Sequence, residues 1–298
     1  MSPWTFTPFP PLPATLLPNI AFYNATSANQ TYQITISHPF EWNPPSPPRN
    51  NRTALTLYVI DGNALGLTAS EALKRRVPVD ASTPDTVVVS IGYPLTDAVY
   101  DLAQRRVDFA PPEVPGGPES GADAFLEFIG GALRPWVRGT VFPGVQFTRD
   151  ALYGHSFGGL FVAYALVKEA GLFDTFLAAS PALDWNGGSL LEDVSRTFGT
   201  EQGAGEVVAN RTGPAVFIGY GGLEQFPARR RTEAEAAFQA RKSLYDSFKM
   251  PARSHELFHR LKWSGRMRDV VIKEYAGQDH SGVGASAITD GIDYFVDW

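Results

Sequence analysis

The chain has 298 residues, 44% of them hydrophobic and 19% charged, with a formal net charge of −6 and no cysteine. That size and balance suit a globular α/β enzyme of one large domain or two small ones. They exclude disulfides, thiolate metal sites and a cysteine nucleophile; the lack of a basic block argues against a nucleic-acid partner, and no apolar run is long enough to span a membrane.

Residues 1–18 are rich in proline, with neither a basic start nor a long apolar centre. They read as an extended surface segment and not as a secretory leader. A cytoplasmic location follows as the expectation, and the glycosylation sequons at Asn24, Asn29, Asn51 and Asn210 then stay unused. Residues 31–37 alternate polar and apolar side chains, the pattern of a half-buried strand. A proline-rich loop at 44–52 leads into a second strand, 54–60, which ends at Asp61-Gly62-Asn63. Residues 86–91 are continuously apolar and β-branched, as a buried parallel strand requires. Residues 107–121 read as a long loop rich in proline and glycine, and loops of that length inside compact domains tend to be functional. Helical spacing follows at 122–137.

An apolar run at 151–153 enters Gly154-His155-Ser156-Phe157-Gly158-Gly159, and a helix-like run at 160–167 leaves it. Further strands are predicted at 175–179, 215–220 and 269–275, with helices at 229–248 and 284–296. Strands alternating with helices imply a doubly wound, mostly parallel sheet with helices on both faces. No repeat or linker interrupts the pattern, so 1–298 reads as a single domain. Ligands on such sheets bind beyond the carboxyl ends of the strands. The Ser156 turn, Asp61-Gly62-Asn63, Gly221–Glu224 and the His280 loop all fall there.

Strand, sharp turn and helix is the context that gives G-x-S-x-G meaning as a nucleophile elbow. Flanking glycines permit a turn that lifts the serine hydroxyl into solvent, and the Phe157 N–H at the start of the helix points to where an oxyanion would form. A serine hydroxyl needs a base, and histidine titrates near neutrality. His280 follows the last strand, where hydrolases with this chain order carry their histidine. Glu224, after the 215–220 strand, is the candidate acid; Asp279, Asp246 and a dyad without an acid are the alternatives. The Asn63 N–H fits a second oxyanion donor, with its side chain as a further candidate for substrate contact. His155 faces away from the serine and reads as packing for the elbow. His255-Glu256-Leu257-Phe258-His259 spells a zinc-type H-E-x-x-H string. Position 265, where an extended motif would place a third histidine, is Gly265, and the surrounding apolar residues read as a packing helix.

Five segments together resemble the Putative esterase family of α/β hydrolases, in its siderophore-esterase branch. They are Tyr58-Val59-Ile60-Asp61-Gly62-Asn63, Arg105-Arg106-Val107-Asp108-Phe109-Ala110-Pro111, the Ser156 turn, Ser180-Pro181-Ala182-Leu183-Asp184-Trp185-Asn186, and 277–282. They run in family order from about residue 30 to the C-terminus, and look most like fungal members that hydrolyse ferric triacetylfusarinine C. The resemblance implies an α/β-hydrolase fold with no separate lid domain. It implies Ser156 as nucleophile, His280 as base, Glu224 as acid, and Asn63 and Phe157 as oxyanion donors. Arg105, with Arg106, would hold substrate, and Trp185 would wall the pocket. On the residues alone, Arg105 could equally form a salt bridge to Asp108 or another loop carboxylate, and Trp185 could be core packing. Ala110 stands where a threonine is expected, so no hydroxyl contact arises there. The implied partner is a small-molecule ester, a ferric siderophore, with no cofactor and no protein-bound metal: iron would belong to the substrate. A carboxylesterase or acyltransferase acting on another ester, and a binding protein that has lost the chemistry, are the rival readings.

Overall fold

The structure is a computed structural model that describes residues 3–8, 19–28, 30–42, 52–112, 120–199 and 212–298. Most of the proline-rich segments at 1–18 and 44–52, the middle of the 107–121 loop, and the sequons Asn29, Asn51 and Asn210 lie outside the described residues. Among the described residues nine strands form one sheet: β1 (Thr5–Pro8), β2 (Ile20–Ser27), β3 (Gln30–Ser37), β4 (Arg52–Ile60), β5 (Thr86–Gly92), β6 (Val145–His155), β7 (Thr175–Ala179), β8 (Ala215–Gly221) and β9 (Asp269–Tyr275). Their order is β1-β2-β3-β5-β4-β6-β7-β8-β9. The first three run antiparallel, β3 pairs antiparallel with β5, and every other pairing is parallel.

The central strands are buried on both faces, and side chains alternate between two cores. Leu57, Val59, Tyr153, Leu177 and Ala179 face helices α1 (Gly62–Arg76) and α9 (His280–Val296). Tyr58, Ile60, Leu152, Phe176 and Ala178 face the other core, against α5 (Phe157–Lys168) and α6 (Ser189–Phe198). Helix α5 is apolar around its whole circumference, and Gly158–Leu166 are all buried. This is the α/β-hydrolase fold.

Several boundaries differ from the sequence expectation. Part of the proline-rich start, expected as an extended surface segment, is an exposed edge strand: Thr5–Pro8 pairs with β2, and Phe6 stacks on Trp136 with ring centroids 4.2 Å apart. Asn24 sits within β2, paired opposite Gln33. The expected 107–121 loop begins inside α2 (Gln104–Phe109). The helix expected at 122–137 runs on to 141 as α3 (Ala122–Glu127) and α4 (Arg134–Trp136), each followed by a π-type turn, at Phe128–Leu133 and Val137–Val141. Pro135 cannot donate to a regular helical ladder, and Gly130-Gly131 lets the backbone adjust ahead of it. The helix expected from 229 starts later, as α7 (Glu235–Phe248), because Arg229 donates to the Glu233 carbonyl in a turn. Helix α8 (Met250–Trp263) follows it directly. The closing helix starts earlier than 284, at His280, because the Asp279 carboxylate caps it by accepting from the Ser281 and Gly282 N–H groups at 3.1 Å each.

Phe161 links the elbow helix to the rest of the core. Its ring lies 5.8 Å from Phe109 and 5.1 Å from Phe125, fully buried. Truncation to alanine in such a site costs about 3–5 kcal/mol. Phe161→Ala is therefore expected to unfold at clearly lower denaturant concentration than the parent; an unchanged midpoint would show that the neighbouring rings close the cavity.

Candidate active site

The elbow is a strained turn between β6 and α5. Ser156 has φ 62° and ψ −119°, a conformation that a side chain rarely adopts. Two glycines make the turn possible: a Cβ on Gly154 would collide with the Gly158 carbonyl, and one on Gly159 would come within 2.8 Å of the Ala179 oxygen and 2.9 Å of Pro181 Cα. The serine hydroxyl is thereby aimed at the carboxyl end of the sheet. With Nδ1 protonated, His280 accepts from Ser156 Oγ at Nε2 (2.9 Å) and donates from Nδ1 to Glu224 Oε1 (2.5 Å). Glu224 is buried, and its second oxygen accepts from the Ser180 hydroxyl at 2.8 Å and the Gly221 N–H at 2.7 Å. A carboxylate so held can fix one imidazole tautomer and stabilise an imidazolium. Asp279 is occupied as a helix cap, and Asp246 accepts from Gln225 at 3.1 Å.

His155 packs against this chain without joining it. Its ring centroid lies 4.6 Å from that of His280. Burial, then the neighbouring charges of His280 and Arg105, push its pKa down to about 3, so it stays neutral beside an imidazolium. Asn63 and Phe157 each lie in the first turn of a helix, where backbone N–H groups lack helical partners. The strands before them, β4 and β6, are neighbours in register, with Val59 opposite Tyr153. The Asn63 side chain is not available to a substrate: its Oδ1 accepts from the Tyr93 N–H at 2.7 Å and its Nδ2 donates to the Tyr93 carbonyl at 2.9 Å.

A cavity of about 400 Å³ opens beside Ser156 and His280. Phe157, Trp185, Tyr245, Phe248 and Met250 supply most of its apolar wall. Trp185 is half-buried, edge-on to Phe157 at 5.6 Å, and the Arg106 guanidinium covers its ring at 5.1 Å. The expected wall role and the core-packing alternative for Trp185 are thus combined in one ring.

Residues 25–268 match the family described as Putative esterase. Two curated proteins align over almost their full length. The siderophore enterobactin esterase of Emericella nidulans is 38% identical, over 98% of this chain and 97% of its own. The siderophore triacetylfusarinine C esterase of Aspergillus fumigatus is 33% identical, over 97% of each chain. Among solved structures, siderophore hydrolase EstA of Aspergillus nidulans superposes with a TM-score of 0.85 at 36% identity, covering 97% of this chain and 98% of its own. The chain belongs to the Putative esterase family. It is a serine hydrolase of the carboxylic-ester class.

Within this esterase, neither Arg105 nor Arg106 is among the described residues lining the cavity, and Arg105 meets a buried carboxylate. Arg105 is 6% exposed and forks onto Asp61, Nε to Oδ1 at 2.9 Å and Nη2 to Oδ2 at 2.6 Å. Asp108 takes other partners, Tyr32 at 3.1 Å, Tyr93 at 3.0 Å and Gln104 at 3.0 Å. The H-E-x-x-H side chains are also committed elsewhere. His255 meets the Tyr220 hydroxyl at 2.9 Å, Glu256 bonds Arg253 and Arg260 at 2.8 and 2.6 Å, and His259 stacks on Trp263 at 4.9 Å. The residue pattern alone does not assign these roles to Ser180 or to the α7–α8 residues Tyr245, Phe248 and Met250. Ser180 lies in a motif that could have drawn attention to it; the others carry no local signal.

Burial raises the Asp108 carboxyl to about 6, against hydrogen bonds from Gln104, Tyr93 and Tyr32 that pull it down. A raised carboxyl favours the folded state while protonated, so this contribution is full below the ordinary value of 3.8 and is lost as pH rises through about 6. The melting-temperature advantage of the parent over Asp108→Asn should accordingly be greater at pH 4.5 than at pH 7. A gap that shrinks on acidification would contradict the raised value.

Proposed function

We propose that the chain hydrolyses the ester bonds of a ferric hydroxamate siderophore of the triacetylfusarinine C type, releasing its iron inside the cell. The observation that carries the reading is the hydrogen-bonded chain Ser156–His280–Glu224 at the mouth of an apolar cavity. Ser156 Oγ attacks the ester carbonyl while His280 Nε2 takes its proton. The tetrahedral oxyanion is met by the Phe157 and Asn63 N–H groups, each such donor contributing about 3 kcal/mol to barrier lowering. His280 then protonates the departing alkoxide, leaving an acyl-serine. Water, deprotonated by His280, attacks the acyl-serine and frees the acid. Glu224 keeps the imidazole oriented and offsets its charge throughout.

Substrate charge supports the hydroxamate class. Three singly charged hydroxamates neutralise a ferric ion, whereas three doubly charged catecholates leave the complex anionic. Among the described residues lining the cavity there is no lysine or arginine, and the Asp184 carboxylate at its wall is met only at 3.9 Å by Arg253, while Arg106 lies over the Trp185 ring. A neutral complex escapes the desolvation and repulsion that an anionic one meets there. The cavity holds one ester arm of a macrocyclic triester, with the iron centre at the mouth. Opening the ring lowers denticity and weakens iron retention. The 38% identity to an enterobactin esterase favours a second reading, a catecholate triester.

Incubation with ferric triacetylfusarinine C and, separately, ferric enterobactin, followed by liquid chromatography–mass spectrometry, decides between them. The expected result is ring opening of the hydroxamate complex, absent in Ser156→Ala that still folds. Preference for enterobactin would replace the substrate class. Labelling by a fluorophosphonate without cleavage of either complex would redirect the chemistry to another carboxylic ester, or to acyl transfer if added alcohol captures the acyl group.

A further inference from the structure

We propose that Arg105 is a positioning residue that clamps the Asp61–Asn63 corner to the serine elbow, holding the two oxyanion donors in register. The inference rests on the serine–histidine reading above. One guanidinium bridges both loops. It forks onto the Asp61 carboxylate, and the same Nη2 donates to the carbonyl of His155, the residue before Ser156, at 3.4 Å. Asp61 and Arg105 lie 44 residues apart in sequence, and His155 is another 50 residues on, so no local structure fixes their relation.

The corner needs such a clamp. Asp61 adopts φ 53° and ψ 44°, the left-handed region, which aspartate tolerates better than most residues but still populates at a cost. Its carbonyl accepts from the Ala64 N–H at 2.9 Å and the Leu65 N–H at 3.2 Å, so the placement of Asp61 dictates the first turn of α1 and with it the Asn63 N–H. The Asn63 side chain is tied to Tyr93 on the far side. Only the backbone of Asn63 remains to face the reaction.

The guanidinium sits among aromatic faces that shield it from water: Tyr100 at 5.2 Å, Phe109 at 5.7 Å and Phe157 at 5.7 Å. Phe157 is itself the other donor residue, so the arginine touches both segments that shape the oxyanion site. A side chain whose Nε and Nη2 are engaged by a buried carboxylate is poorly placed to grip a ligand. Arginine suits the task because its planar fork fixes both oxygens of Asp61, which a lysine ammonium cannot do.

The test uses the full chain and a small neutral chromogenic ester, p-nitrophenyl acetate, which needs no siderophore recognition. Arg105→Gln and Asp61→Asn should each lower kcat about 100-fold, the loss typical of one misplaced oxyanion donor, with KM within about twofold of the parent. The double variant, with the pair removed as a unit, should lose no more than either single variant. Raised KM at unchanged kcat would make Arg105 a substrate contact, and multiplicative losses in the double variant would make the two residues independent; either result overturns the clamp. Ser156→Ala separates the layers: activity surviving in that variant sinks the serine reading itself. An inert Ser156→Ala beside a fully active Arg105→Gln sinks the clamp alone. Should the single variants fail to fold, Arg105→Lys retains the charge and loses the fork. A roughly tenfold drop in its kcat at constant KM supports the proposal, and parental kcat refutes it.

Discussion

The positive-φ backbone of Ser156 persists because three hydrogen bonds over-determine it. Its N–H donates to the Ala179 carbonyl at 3.0 Å, and its carbonyl accepts from Leu160 at 2.9 Å and Ala182 at 3.1 Å. A strained residue costs about 1–3 kcal/mol, and each net hydrogen bond returns about 0.5–1.5 kcal/mol, so the bonds and the strain are of similar size. The surplus comes from α5, whose buried apolar residues are drawn into the core directly behind the turn. The serine is thus held by the end of β7 on one side and by its own helix on the other. Because the Ala182 bond reaches into the Ser180–Asn186 segment, the same contacts that strain the elbow also anchor the loop bearing Trp185.

Charge is distributed around this turn in separate, locally neutralised units. Glu224 is paired through His280 and braced by Ser180, which itself has φ 40° and is fully buried. Asp61 would be driven towards protonation by burial, and Arg105 opposes that shift. Among the described residues Asp108 meets hydroxyl and amide donors and no cation, and burial raises its carboxyl to about 6. Glu224, Asp61 and Asp108 thus differ in partner chemistry, and a histidine kept neutral by burial lies beside His280.

The central parallel strands were legible because burial on both faces leaves a continuous apolar run that few other elements produce. Strand β2 was not, since I-A-F-Y-N-A-T-S is half-buried and mixes polar with apolar residues. The helix starts expected at 229 and 284 fall instead at Glu235 and His280, because a turn and a carboxylate cap, not apolar spacing, set them. In the site, the elbow string and the chain order of serine, glutamate and histidine pointed to three side chains that do meet in space. The partner of Arg105 was misleading locally: Asp108 is three positions away and points to Tyr32 and Tyr93, while Asp61 comes from another strand end. Ser180 likewise reaches Glu224 across 44 residues, a separation that leaves no periodicity to read.

Helix α7 carries Tyr245 and Phe248 to the cavity wall yet has no buried residue of its own. The α7 residues that line the cavity are therefore separate from those that build the two cores. Sequence drift along α7 reshapes the cavity mouth while the two cores that hold the elbow remain untouched. A combinatorial library confined to its inner face would therefore vary the surface beside Ser156 and His280 while leaving the sheet and both cores as they are.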